Sequence, residues 1–112
     1  MNKKIGKALL TIGLPVYFIN KGIKKDKEYI IFNYSSYPSY YADNTLKGTN
    51  YTILINLYCI SNIEQYKTNI LKTMREYGFN GGNSEPTNTE SDSNGNLIYN
   101  TAITFKGFLR AD

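Results

Sequence analysis

No histidine occurs among the 112 residues, which removes the side chain most often used to move protons near neutral pH and the nitrogen ligand of most zinc sites. Most hydrolytic triads are excluded with it. The single cysteine, Cys59, stands inside an apolar run, so neither a disulfide within the chain nor a thiolate metal cluster is available. Its expected role is that of a small buried hydrophobe. Asp26 with Glu28 and Glu90 with Asp92 have the residue types for acid–base work, yet both pairs lie in polar segments that give no reason for a raised pKa, and they read as solubilising charge. Glu64, three positions after Ser61, reads as the carboxylate of a capping box rather than as a catalyst. Gly78 to Asn83 (GFNGGN) lacks the lysine and hydroxyl of a phosphate loop and follows a helix instead of opening one. It reads as a turn. Asn33-Tyr34-Ser35 and Asn50-Tyr51-Thr52 match the glycosylation pattern, but such triplets arise by chance in an Asn-rich chain. No catalytic, metal or cofactor site is expected, and the chain does not read as an enzyme.

Aromatics offer a different chemistry. The chain has 11 Tyr and 5 Phe but no Trp, and a phenol ring can face a partner while its hydroxyl stays wet. The densest run is Tyr34, Tyr37, Tyr40 and Tyr41 around Pro38, leading through Ala42 and Asp43. These rings suit either the end of the core or a neighbouring subunit, where tyrosine contributes area at low entropic cost. The formal charge is +4, and seven of the 13 basic residues (Lys3, Lys4, Lys7, Lys21, Lys24, Lys25 and Lys27) precede Tyr29, opposed by Asp26 and Glu28. Clustered lysine attracts phosphate, although here lysines and tyrosines occupy different segments, unlike a single-strand binding surface.

The elements that position these residues follow from periodicity. Ile5, Ala8, Leu9 and Ile12 recur at helical spacing over Asn2 to Ile12, with Gly13 as the stop and Pro15 beyond it. The basic start and short apolar stretch imitate a signal peptide, but Gly13 and Pro15 interrupt it and no small-residue cleavage site follows, so it reads as mature sequence. No apolar run approaches the roughly 18 residues of a membrane span. Strands are expected at Val16 to Ile19, at Tyr29 to Tyr34 with both faces largely covered, and at Tyr51 to Ile60 in the centre of the sheet. Residues 35–50 read as a long loop. Ile63, Tyr66, Ile70, Met74 and Tyr77 mark a second helix closed by Gly78. Phe79 to Thr87, broken by Gly81, Gly82 and Pro86, gives at most an irregular or edge strand. Thr87 to Asn96 reads as a polar turn with a tight Asn94-Gly95 hairpin before a last strand from Leu97 to Lys106. The expected fold is a single α+β domain over 1–112, a mainly antiparallel sheet of four to five strands packed against two helices in the order α-β-β-β-α-β-β.

The order and spacing of these landmarks resemble the tail terminator or tail-completion proteins of long-tailed bacteriophages and prophages, a family also described as minor capsid or head-tail joining proteins. The residues that carry the resemblance are the first helix running into Ile12-Gly13-Leu14-Pro15-Val16-Tyr17, the strand Tyr29 to Tyr34, the Tyr41-Ala42-Asp43 segment, the strand Tyr51 to Tyr58, the Gly78-Phe79 helix end and a final strand with Tyr99 and Phe105. The chain departs from the pattern in its Asn, Ser and Gly-rich turn between Gly81 and Asn96 and in its basic loop before Tyr29. The resemblance implies a structural virion protein that forms a homo-oligomeric ring, a hexamer, at the head-proximal end of the tail tube. Such a ring stops tube growth and offers a docking surface to the head connector. Double-stranded DNA passes its lumen without sequence-specific binding, and assembly takes place in the host cytoplasm, with no membrane involved. It also implies that Tyr34, Tyr37, Tyr40, Tyr41 and Asp43 lie at a subunit or tail-tube contact, and that Lys21, Lys24 and Lys25 face the lumen or connector. The alternatives are a head-completion stopper or connector adaptor of the same virion, or a small nucleic-acid-binding module.

Overall fold

Helical spacing and a glycine stop produce the first element in the computed structural model, which describes residues 1–19, 27–42, 45–91 and 94–110, and the backbone alone of 39–42 and 45–47. Helix α1 spans Asn2–Leu10 and buries Ile5, Ala8 and Leu9. The chain leaves it through Gly13 at φ 96°, a backbone angle that costs a side-chain-free residue little. Strand β1 (Val16–Phe18) follows, then β2 (Tyr29–Ala42), β3 (Thr45–Cys59), helix α2 (Ile63–Glu76), β4 (Asn80–Ser84), β5 (Asn88–Ser91) and β6 (Leu97–Arg110). They form one six-stranded mixed sheet in the order β1-β2-β3-β6-β4, with β5 also on β6. The β1–β2 pair is parallel and every other pair antiparallel.

Both helices lie on one face of the sheet. On β3 the alternation is complete, with Ile53, Ile55, Leu57 and Cys59 at 0% exposure and Thr52, Leu54, Asn56 and Tyr58 turned the other way. Registered neighbours share its buried face: Ile30 and Phe32 from β2, Ile103 and Phe105 from β6. Ile5 and Leu9 of α1 and Ile70 and Met74 of α2 close over them in one cluster. Each such aliphatic or aromatic side chain contributes roughly 1.5–3 kcal/mol when fully buried, so this shared layer is the main source of stability.

The α+β class is as expected, whereas several elements differ from the sequence reading. Residues 35–42 and 45–50 are not a loop but a continuation of β2 and β3, paired from Ser35↔Thr52 to Ala42↔Thr45 with shifts around Tyr40. This ribbon runs past the helices, so neither face needs apolar alternation and the strand signal is missing from the sequence. Pro38 fits because the Ile30 N–H donates to Pro15 O and the Phe32 carbonyl accepts from the Ile19 N–H. Even-numbered backbone groups of β2 therefore face the outer edge, and a proline there removes no bond to β3. There are six strands rather than four to five, because Asn88–Ser91 pairs with β6 where a turn was expected. All four residues of β5 are exposed, so this edge strand is held by its backbone and leaves no hydrophobic pattern. Its connection to β6 spans 92–96, since pairing resumes at Ser91↔Leu97, longer than a tight Asn94-Gly95 hairpin.

Strand β2 is covered on one face rather than two: Ile30 and Phe32 are buried while Tyr29 and Ile31 are half-exposed and Asn33 is exposed. The capping box is also absent. Asn62, with left-handed backbone angles, is the N-cap of α2 and makes no side-chain capping bond, which puts Ser61 one residue too early and Glu64 one residue short of the required position. Glu64 instead pairs with Lys67 at 3.3 Å. The α2 stop at Gly78 (φ 93°) and the irregular β4, with its register shift between Gly81 and Asn83, are as the sequence suggested.

Candidate interaction surface

The sheet's second face carries no helix among the described residues, and the register fixes which side chains share it. Tyr29 sits opposite Tyr58, Tyr58 opposite Asn100, and Asn100 opposite Asn88, giving one row across four strands. The Tyr29 and Tyr58 rings stack at 4.6 Å between centroids, and Tyr17 from β1 meets Tyr29 edge-on at 6.3 Å. Such pairs add about 0.5–1.5 kcal/mol beyond their buried area. Asn100 donates from Nδ2 to the Glu90 carboxylate beside this row. Burial raises the phenol pKa of Tyr29, with Tyr58 and Glu90 adding to it, and burial followed by Glu90 does the same for Tyr58. Both phenols stay protonated through neutral pH, as neutral rings.

Further along the same face, Leu54, Tyr37 and Phe108 are 41%, 47% and 43% exposed. Leu54 borders a depression of about 220 Å³ with Asn33, Tyr34, Ser35 and Thr52. Phe108 lies flat over Gly48, where a Cβ would collide with its ring; the missing side chain is what lets an aromatic close the base of the ribbon. From Ile31 to Tyr58 the sequence holds only Asp43 and Lys47 as charged residues. Across β2 and β3 the surface is therefore aromatic and amide-rich with little charge, while β6 adds Lys106 and β5 adds Glu90.

The structure separates residues that the sequence grouped. Tyr34 turns to the helix side, where it stacks on Phe18 at 5.5 Å and meets Tyr51 edge-on at 5.5 Å. Tyr37 turns to the uncovered side. Tyr40 and Tyr41 pair through their backbones with Gly48 and Leu46, their side chains lying outside the described residues, as do Asp43, Lys21, Lys24 and Lys25 altogether. Sequence reasoning passed over Tyr17, Tyr29, Tyr58 and Phe108. They occupy strand positions alternate to the buried ones, a signal that was present, but only the register unites them.

Cys59 is fully buried as expected. Burial pushes its thiol up to about 11, nearby Glu28 adds to the shift, and a backbone bond from Ser61 opposes it. Glu28 is occupied in accepting the Ile60 N–H at 3.1 Å. Among the described residues no three His, Cys, Asp or Glu side chains gather as a metal site requires, and no helix is long and apolar enough to cross a membrane. No known protein-family model matches the chain, and no curated protein sequence does.

Proposed function

We propose that the protein is a structural subunit of a tailed-phage virion, a tail terminator that forms a ring at the head-proximal end of the tail tube, halts tube growth and receives the head connector. The observation that carries this reading is the uncovered sheet face running into a ribbon of β2, β3 and β6 that extends past the helices. A chain whose uncovered sheet face is aromatic across β2 and β3 and free of grouped reactive side chains is suited to contact with other protein surfaces. A head-to-tail ring needs two different complementary surfaces on each subunit and no bond chemistry. The ribbon and the sheet face are distinct surfaces of that kind, and Tyr37 and Phe108 stand where they meet.

Electron microscopy of particles assembled without the protein tests the role. Tails of uncontrolled length are the expected result. Tails of normal length beside heads that leak DNA would point to a stopper or connector adaptor, and normal particles would remove the proposal.

A further inference from the structure

The helices carry six of the chain's 13 basic residues against two acidic ones, and so hold its excess of positive charge. Helix α1 holds Lys3, Lys4 and Lys7 with no acidic residue, and α2 holds Lys67, Lys72 and Arg75 against Glu64 and Glu76. The described strands and turns are nearly balanced, with Lys27, Lys47, Lys106 and Arg110 against Glu28, Glu85 and Glu90. On α1, Lys3 and Lys7 stand four residues apart, on the side of the helix opposite Ile5, Ala8 and Leu9, and are exposed. On α2, Lys72 lies two positions from both buried Ile70 and buried Met74 and is likewise exposed. The two helices pack side by side, so these three ammonium groups belong to one outer surface. The ion pair among the described residues, Lys67 with Glu64, uses none of them, and Lys4 lies over the Phe79 ring at 5.0 Å.

We propose that the outer surface of this helix layer binds double-stranded DNA through its phosphates, without reading sequence. Lysine ammonium groups on a rigid pair of helices are point charges that neutralise phosphates and release counterions. Two other polyanions fit less well. An anionic membrane is bound by an amphipathic helix that inserts its apolar face, and the apolar face of α1 is already used, with Ile5, Ala8 and Leu9 at 0% exposure. A single strand is bound by aromatic stacking beside the cations, whereas the Tyr29–Tyr58 stack lies on the opposite face of the sheet and the helix-side Tyr34 is already stacked on Phe18. The place of this contact in a virion rests on the ring reading; the binding itself rests on the distribution of charge.

Fluorescence anisotropy of a labelled duplex of mixed sequence tests it. With about three phosphates neutralised, the logarithm of the affinity falls with that of salt at a slope of about −2.7, a loss of about 40-fold between about 50 and about 200 mM salt. Replacing Lys3→Gln, Lys7→Gln and Lys72→Gln together is expected to weaken binding at low salt by tenfold or more and to flatten the slope, with the circular dichroism and melting temperature unchanged. Lys106→Gln, on the uncovered sheet face, is expected to leave affinity within about twofold, since its charge lies on the other side of the molecule. Absence of binding at low salt, equal loss in Lys106→Gln, or tighter binding to phosphatidylserine vesicles or to a single strand would each overturn the inference. Overlong tails in particles lacking the protein, together with no duplex affinity, would remove this inference and leave the terminator role standing.

Discussion

Two glycines show how a single hydrogen can decide local packing. At Gly107 a Cβ would stand 3.0 Å from the ring of Phe79, which is 2% exposed and has no room to retreat. Gly107→Ala is therefore expected to destabilise by about 1–3 kcal/mol, as overpacking a core does, and urea unfolding would read this as a lower midpoint at unchanged slope. At Gly48 the obstructing atoms belong to the exposed ring of Phe108, which can swing outward. Gly48→Ala is expected to cost less than about 1 kcal/mol. Equal costs at the two positions would contradict this account of the ribbon base. A third expectation concerns protons. Cys59, Tyr29 and Tyr58 all have raised values in the folded chain, so the fold holds their protons more tightly than the unfolded chain does. Their contribution is full below the unfolded values and is lost as pH rises, for Cys59 between 9.0 and about 11 and for the phenols from 10.0 upward. The urea midpoint is expected to fall between about pH 8 and about pH 10.5, with Cys59→Ala removing part of that slope. A flat profile would mean that these groups are no better shielded than in the unfolded chain.

Elements that bury one face were legible in the sequence, and elements that bury neither were not. Strand β3 shows this within a single strand: from Tyr51 to Cys59 it alternates between core and open face, and the expected strand was found there, while Thr45 to Asn50 lies in the ribbon and reads as loop. Strand β5 escaped for the same reason. Its order comes from Asn88–Ser91 pairing along β6 and from the turn just before it, where the Glu85 N–H donates to Ala102 O and Thr101 Oγ1 donates to Glu85 O at 2.9 Å. The open-face tyrosines were individually visible as strand residues, yet which of them meet depends on a register that no local pattern encodes. Edge chemistry adds a prediction at this scale. Beyond Phe32 the outer edge of β2 has no strand beside it among the described residues, and there the Tyr34 N–H donates to the Asn33 side chain at 2.8 Å while Pro38 offers no donor. Both features blunt the edge against strand addition. Pro38→Thr restores an outward N–H at little cost to folding, and is expected to raise light scattering of concentrated protein over time, with loss of scattering on reversion to proline. Unchanged solution behaviour would show that the edge is protected by something other than its missing donor.

At the scale of the whole molecule, the division of labour is between two faces and one extension. The chain measures 59 × 27 × 23 Å, longer in one direction than the core under the helices requires, because the β2–β3–β6 ribbon continues beyond it. Charge gathers on the helix side and aromatic area on the other, so the two faces suit different partners without competing. If the uncovered face joins copies of the chain, its exposed aromatics carry the contact, and they can be removed without touching the core. Tyr37→Ser with Phe108→Ser takes two rings that are 47% and 43% exposed, whose loss costs the isolated fold little. In an assembly the same rings would be desolvated anchors, each worth about 2 kcal/mol or more of binding. Under the proposed terminator role, analytical ultracentrifugation of the chain with a tail-tube protein is therefore expected to show rings for the parent and predominantly monomer for the double variant, at equal melting temperature. Rings formed equally by both would place the subunit contact away from this face, and a lowered melting temperature in the variant would show that the two rings serve the fold rather than the assembly.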